Sequence, residues 1–131
     1  MSEYEFRVLI TGSRDWDDSE PIRTALSNAF RAIPIGSCLK VVHGDCPTGA
    51  DAMASEWVKE MQTQCFPVFE EPHPAIWLKH GKAAGPIRNQ EMVDLGADIC
   101  FAFPVPSSRG TIHCMGAAEK AGIPVVNLGV K

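Results

Sequence analysis

Long apolar runs, a cationic excess and paired cysteines are all missing from this 131-residue chain. No stretch is apolar for long enough to cross a bilayer. The start, Met1-Ser2-Glu3-Tyr4-Glu5, is acidic where a secretion signal needs positive charge followed by an apolar segment, so neither signal peptide nor membrane partner is expected. Twelve Lys and Arg against sixteen Asp and Glu leave a formal charge of −4, which gives no electrostatic footprint for a nucleic-acid polyanion. The five cysteines, Cys38, Cys46, Cys65, Cys100 and Cys114, are odd in number and contain no CxxC pair. That usage suits reduced thiols better than a disulfide framework, and the expected compartment is the cytoplasm. Neither GxGxxG nor GxxxxGK[ST] occurs, so ordinary NAD binding and P-loop ATPase chemistry lack support. Repeats, low-complexity tracts and linkers are absent too, and the length suits one domain spanning residues 1–131.

What the chain does contain is a regular alternation of short β-rich segments with stretches of helical period. Residues 6–11 read as a first strand stopped by Gly12; Asp17, Asp18 and Ser19 then offer helix caps, with Pro21 in the first turn. Ile22, Ala25, Leu26, Ala29, Phe30 and Ile33 share one face of that helix. A second strand over 39–43 leads to a helix from about Thr48, whose apolar stripe includes Trp57 as a core residue. Pro67 marks a third strand, 66–70, as a sheet edge. An irregular stretch from 71 to about 83 follows, long enough to suggest function. A weaker helix over 84–95 is interrupted near its start by Gly85-Pro86. The strand at 98–103 is apolar enough to be central, and after a loop and a helix over 110–121, residues 123–128 form the last strand. This order predicts an α/β class: a single Rossmann-like, three-layer α/β/α domain with a mainly parallel five-stranded sheet and right-handed crossovers.

In open parallel sheets, ligands bind beyond the carboxyl ends of the strands, at helix N-termini. Four stretches fall there: Thr11 to Trp16, His43 to Asp51, Phe103 to Thr111, and Ala84 to Asn89. They carry Gly12, Gly44, Gly49 and Gly110, which let backbone approach a phosphate, and Arg14, Arg88 and Arg109, whose guanidinium forks match phosphate oxygens. Each piece also has a plain reading. The glycines fit tight turns, and Thr48-x-x-Asp51 fits a capping box. Trp16 and Trp77, in loops, suit either stacking on a base or covering the core. His43 and Cys46 have loose metal-ligand spacing but no second pair completes a site, so no metal is expected. His113-Cys114 near a helix start suggests either a reactive thiolate or a buried, inert cysteine.

Taken in order, these residues resemble a family. Leu9-Ile10-Thr11-Gly12-Ser13-Arg14-Asp15-Trp16, His43-Gly44 through Gly49-Ala50-Asp51-Ala52-Met53-Ala54, Trp77 with Ala84-Gly85-Pro86-Ile87-Arg88-Asn89-x-x-Met92, and Arg109-Gly110-Thr111 with Ala121-Gly122-Ile123-Pro124-Val125 are similar to the YspA-type, YpsA-related branch of the SLOG superfamily. That superfamily also holds the Rossmann-like domains of Smf/DprA proteins and the LOG nucleotide hydrolases, and this branch occurs in bacteria and phages. The resemblance implies binding of nucleotides or nucleotide-derived molecules. LOG enzymes cleave the N-glycosidic bond of nucleoside monophosphates with an Arg before the fourth strand and a Glu within PGGxGTxxE. Arg88 matches the first. The Glu position, three after Thr111, is Cys114, and the double glycine is gone. Ile76 stands where the branch usually has Asp before the Trp. Glu91 and Asp51 are the carboxylates left to substitute.

The expected function is therefore binding of a phosphate-bearing, nucleotide-derived small molecule, with no further cofactor and without nucleic acid. A LOG-like nucleotide hydrolase, with Arg88 catalytic, is the alternative. In the expected site Gly12, Ser13, Gly44, Gly110 and Thr111 present backbone and hydroxyl donors to phosphate, joined by Gly49, Asn89 and Arg109. Arg14 and Arg88 neutralise its charge, Trp16 or Trp77 covers the base or ribose, and Asp51 accepts from a ribose hydroxyl. Related folds commonly dimerise, so a homo-oligomer, dimer or higher, is expected as well.

Overall fold

Alternation along the strands decides the layering. In a computed structural model that describes residues 4–129, Val8 and Ile10 point into one apolar core while Leu9, between them, points into another. Met1-Ser2-Glu3, read above as an acidic lead, lies outside the described residues. The strands are β1 (Glu5–Gly12), β2 (Cys38–His43), β3 (Val68–Pro72), β4 (Ile99–Phe103) and β5 (Val125–Asn127). The α-helices are α1 (Ser19–Ala32), α2 (Gly49–Thr63), α3 (Trp77–His80), α4 (Ala84–Asp94) and α5 (Arg109–Lys120), with a 3₁₀ turn at Gly81–Ala83.

All strand pairs are parallel, in the order β3-β2-β1-β4-β5, so the fold is the Rossmann-like α/β arrangement. Ile22 and Leu26 of α1 with Ala54, Trp57 and Val58 of α2 cover one face; Met92 and Val93 of α4 with Cys114 and Ala118 of α5 cover the other. Trp57 is core, β3 is an edge and β4 is interior, as the pattern predicts. Asp18 caps α1, its side chain accepting from Glu20 N.

Three local expectations change. The stretch from 71 to about 83 is irregular only over residues 73–76: β3 runs on to Pro72, and α3 and the 3₁₀ turn occupy 77–83. Gly85-Pro86 does not interrupt α4, because Pro in a first turn gives up an amide with no intrahelical partner. Strand β5 is shorter than 123–128, with Ile123 buried beside α5. No helix among the described residues is long and apolar enough to cross a membrane.

Chain direction reverses once. The path steps from β1 to β2 to β3 on one side, then returns to place β4 and β5 on the other. The crevice beyond Gly12 and Phe103, which are register partners, is therefore the switch point of the sheet.

Candidate functional site

At that switch point lies a cavity of about 350 Å³. The end of β1 and its loop supply Gly12, Ser13 and Arg14; the β2–α2 loop supplies Gly44 and Cys46, and α2 supplies Asp51. Trp77, Gly85, Pro86, Arg88, Asn89 and Met92 close one wall, and Ser108, Gly110 and Thr111 form the opposite end.

Arg88 is the centre of positive charge. Its Nη1 donates to the carbonyls of Gly44, at 2.6 Å, and His73, at 3.3 Å, and its Nε donates to Asn89 Oδ1 at 2.9 Å. None of the salt bridges among the described residues involves it, and Nη2 has no hydrogen bond to them. Gly44 is needed for this arrangement, since a Cβ there would run into the guanidinium. Asn89, 4% exposed, also donates through Nδ2 to Gly110 O at 3.2 Å, tying α4 to the first turn of α5.

The start of α5 is open. Ser108 occupies its N-cap but makes no capping bond, because its Oγ accepts from Val105 N at 2.8 Å. A cap would have served the amides two or three residues on, those of Gly110 and Thr111. The space where a Gly110 Cβ would sit is empty for at least 4 Å. The partial positive charge of a helix N-terminus thus meets the cavity beside Arg88.

The start of α2 is closed. Ala50 N donates to Ser13 O at 3.2 Å, and Thr48 Oγ1 donates to Arg14 O at 3.1 Å. Thr48 and Asp51 form no capping box. Asp51 Oδ2 instead accepts from Gly44 N at 3.1 Å and Cys46 N at 3.3 Å, and burial pushes its carboxyl above the usual aspartate range. Two amides offered to phosphate by sequence reasoning are therefore spent: Gly44 N on Asp51, and Ser13 N on Phe103 O at 3.1 Å. Ser13 Oγ accepts from Asp15 N, which leaves its hydroxyl hydrogen to donate.

The rim is cationic and aromatic. The Arg14 guanidinium stands 5.5 Å from the centroid of the half-exposed Trp77 ring. Of the expected residues, Gly12, Ser13, Arg14, Gly44, Asp51, Trp77, Arg88, Asn89, Gly110 and Thr111 line the cavity; Trp16, Gly49 and Arg109 do not. Trp16 is 6% exposed, packs edge-on against Phe103 and donates Nε1 to Asp18 O, so the core reading holds. Gly49 packs under the Ser13–Arg14 backbone, and Arg109 is an exposed first residue of α5. Thr11, Asp15, Cys46, Gly85, Pro86 and Ser108, which also line the cavity, fall within the four strand-end stretches without having been singled out, and Ile10 and Met92 lie outside them; Ser108 had a signal, standing directly before a helix start.

The remaining candidates resolve into structure. His43 Nδ1 accepts from Asp45 N, so its Nε2 carries the proton and donates to Glu70 at 2.7 Å. Among the described residues, it forms no metal-ligand group with Cys46. Burial pushes the Cys114 thiol up, which removes the thiolate reading and leaves an inert core side chain. Glu91 is exposed and turned toward His73 Nδ1 at 3.1 Å, away from the cavity lining.

Comparison with known proteins bears on this cavity. Residues 6–81, more than half of the chain, match the family model described as "YspA, cpYpsA-related SLOG family". The chain is 51% identical over 125 residues to the Gene 61 protein of Mycobacterium phage D29, covering 95% of this chain and 98% of that protein. No solved structure matches.

Proposed function

Given that the chain belongs to the YspA, cpYpsA-related SLOG family, we propose that its switch-point cavity binds a phosphate-bearing, nucleotide-derived small molecule. One observation carries this reading: an Arg88 guanidinium that forms no salt bridge among the described residues, with the amide-bonded Asp51 as a nearby carboxylate, stands beside the uncapped N-terminus of α5. Asp51 offsets this positive potential only in part, so an anion in the partly buried crevice is favoured. Phosphate takes the Gly110 and Thr111 amides and Arg88 Nη2. Trp77, held by Arg14, covers the planar end of the ligand, and Asp51 accepts from a sugar hydroxyl.

Binding without turnover fits better than hydrolysis. The carboxylate of the LOG motif is replaced by Cys114, which is fully buried on the core side of α5 and is not among the residues lining the cavity. Asp51 and Asp15 are the carboxylates of the lining; Asp51 Oδ2 is engaged by two backbone amides, and Asp15 is exposed in the β1–α1 loop.

The test is a thermal-shift panel of nucleotides and their derivatives, joined to mass spectrometry of small molecules released on denaturing the purified protein. A ligand at a hundredfold excess over its Kd stabilises by about 2.7 kcal/mol, a shift of several degrees for a chain of this size. Stabilisation by a phosphate-bearing nucleotide derivative, lost in Arg88→Ala, is expected. A panel with no shift and a protein that releases nothing would sink the proposal. Free base released from a nucleoside monophosphate, and abolished by Arg88→Ala, would replace it with the hydrolase.

A further inference from the structure

His73 follows directly on Pro72, the last residue of β3, and both of its ring nitrogens face carboxylates. Nε2 lies 2.7 Å from Glu71 Oε2, and Nδ1 lies 3.1 Å from Glu91 Oε1 on α4. An ionised carboxylate only accepts hydrogen bonds, while a neutral imidazole carries one N–H and one bare lone pair. Both contacts are therefore made together only by the doubly protonated ring. Charge surrounds it from several elements. Behind Glu71 stands Arg7 of β1, itself paired with Glu5, and α4 adds Arg88 to Glu91. On the β2 side, His43 O accepts from His73 N at 2.8 Å, and Glu70 is turned to His43 and Ser55.

The two carboxylates are not held equally. Glu71 Oε2 also accepts from Arg7 Nη2 at 2.9 Å, whereas the Glu91 side chain is 62% exposed. The Arg7 fork keeps Glu71 at about 2, ionised throughout the ordinary histidine range. When the ring loses a proton, the remaining N–H stays at Nε2, toward the fixed carboxylate, and Nδ1 turns a lone pair on Glu91. The link between the end of β3 and α4 then opens. Arg88 stands one turn before Glu91 on that helix, and its Nη1 donates to Gly44 O and, at 3.3 Å, to His73 O. One residue thus holds α4 through its ring and the guanidinium through its carbonyl.

Taking the anion site above as given, we propose that His73 is a positioning residue for Arg88. Its imidazolium, clasped by Glu71 and Glu91, holds Arg88 toward the cavity, so anions bind more tightly when the ring is protonated than when it is neutral. His73 itself is not among the lining residues, and Arg88 makes the contact. The clasp is complete below the ring's titration and is lost above it, so affinity falls as the pH rises.

Sulfate is the probe, because its charge stays constant over the range. Its binding is read from the Gly110 and Thr111 amide resonances at about pH 5.5 and about pH 8.5, either side of the ordinary histidine value near 6.5. Wild type is expected to bind about threefold more tightly at the lower pH, the scale of a partly exposed ion pair. Glu91→Gln should bind equally at both, since a carboxamide accepts from the protonated ring and donates to the neutral one. His113 Nδ1 lies 3.4 Å from Asn89 Nδ2, and a dependence arising there would survive Glu91→Gln. In protein without sulfate, the Arg88 Nε–H resonance is expected to move with the titration of the His73 ring, and to stop doing so in Glu91→Gln. If that movement is seen while sulfate fails to bind, the anion site falls and the positioning stands. An Arg88 resonance indifferent to His73, or a pH dependence of binding that Glu91→Gln leaves intact, overturns the proposal.

Discussion

Replacing Gly49 with alanine is expected to be among the most damaging single-methyl changes in this chain. Gly49 has φ +75, a region where an L side chain costs roughly 1–2 kcal/mol. Its added Cβ would collide with the Ser13 carbonyl oxygen and lie 2.6 Å from Arg14 Cα, both backbone atoms that no side-chain rotation relieves. Overpacking of that kind costs about 1–3 kcal/mol. The shift also pulls Ala50 N from Ser13 O, a bond of 3.2 Å whose loss costs about 1 kcal/mol. Together these predict a loss of about 3–6 kcal/mol, a large part of the roughly 5–15 kcal/mol typical of a domain. The control is Gly110→Ala, where a Cβ meets nothing within 4 Å and lies in a helix. There alanine is expected to leave stability unchanged or raise it by up to about 1 kcal/mol, while weakening ligand binding at the cavity end it lines. Urea melts followed by circular dichroism compare the two, with unchanged m-values as the check on two-state unfolding. A Gly49→Ala melt within about 0.5 kcal/mol of wild type would refute the claim that this glycine holds the β1–α1 loop against α2.

Other outcomes follow from the site and its supports. Arg88→Ala is expected to weaken ligand binding by about 1.5–3 kcal/mol, tenfold to hundredfold in Kd by calorimetry, and Arg88→Lys to recover only part of it, because a point charge cannot keep both the carbonyl contacts and the free edge. Asp51→Asn keeps an oxygen for the Gly44 and Cys46 amides and removes a charge that burial disfavours, so the melt should hold or rise while affinity falls; a large loss of stability would show that the charge itself holds the loop. Glu71 is held at about 2, far below the usual glutamate value of 4.5, by its two-pronged pair with Arg7. A depressed folded value means stability that is present above 4.5 and lost as the pH falls toward about 2. Solvent screening limits this contribution to about 1–2 kcal/mol, and Glu71→Gln should remove it from a melt series over that window. Trp77→Ala frees Arg14 from the ring; a modest loss of affinity, about 0.5–1 kcal/mol, is expected, and none at all would remove Trp77 from the site.

The sequence by itself determined the layering and the place of the crevice. The unbroken apolar run Val8-Leu9-Ile10 in β1, which must be covered on both faces, and the apolar stripes of α1 and α2 leave few ways to bury those residues. A β-α-β succession with short loops then forces parallel strands and a ligand site at their carboxyl ends. Arg88 and Gly110 were legible for that reason: their position in the order of elements puts them at the crevice whatever their neighbours do. Tertiary structure decided which donors remain free. Thr48-x-x-Asp51 satisfies a capping box by spacing, yet Asp51 turns to Gly44 N and Cys46 N because the β2–α2 loop folds back over it. Ser13 N and Ala50 N are consumed by partners on other elements, and Ser108 leaves its own helix uncapped by bonding Val105. Trp16 sits in a loop by sequence and in the core by contact with Phe103. Hydrogen-bond competition of this sort is settled by atoms far apart in the chain, so spacing shows where donors stand and only the packed fold shows which of them are left for a ligand.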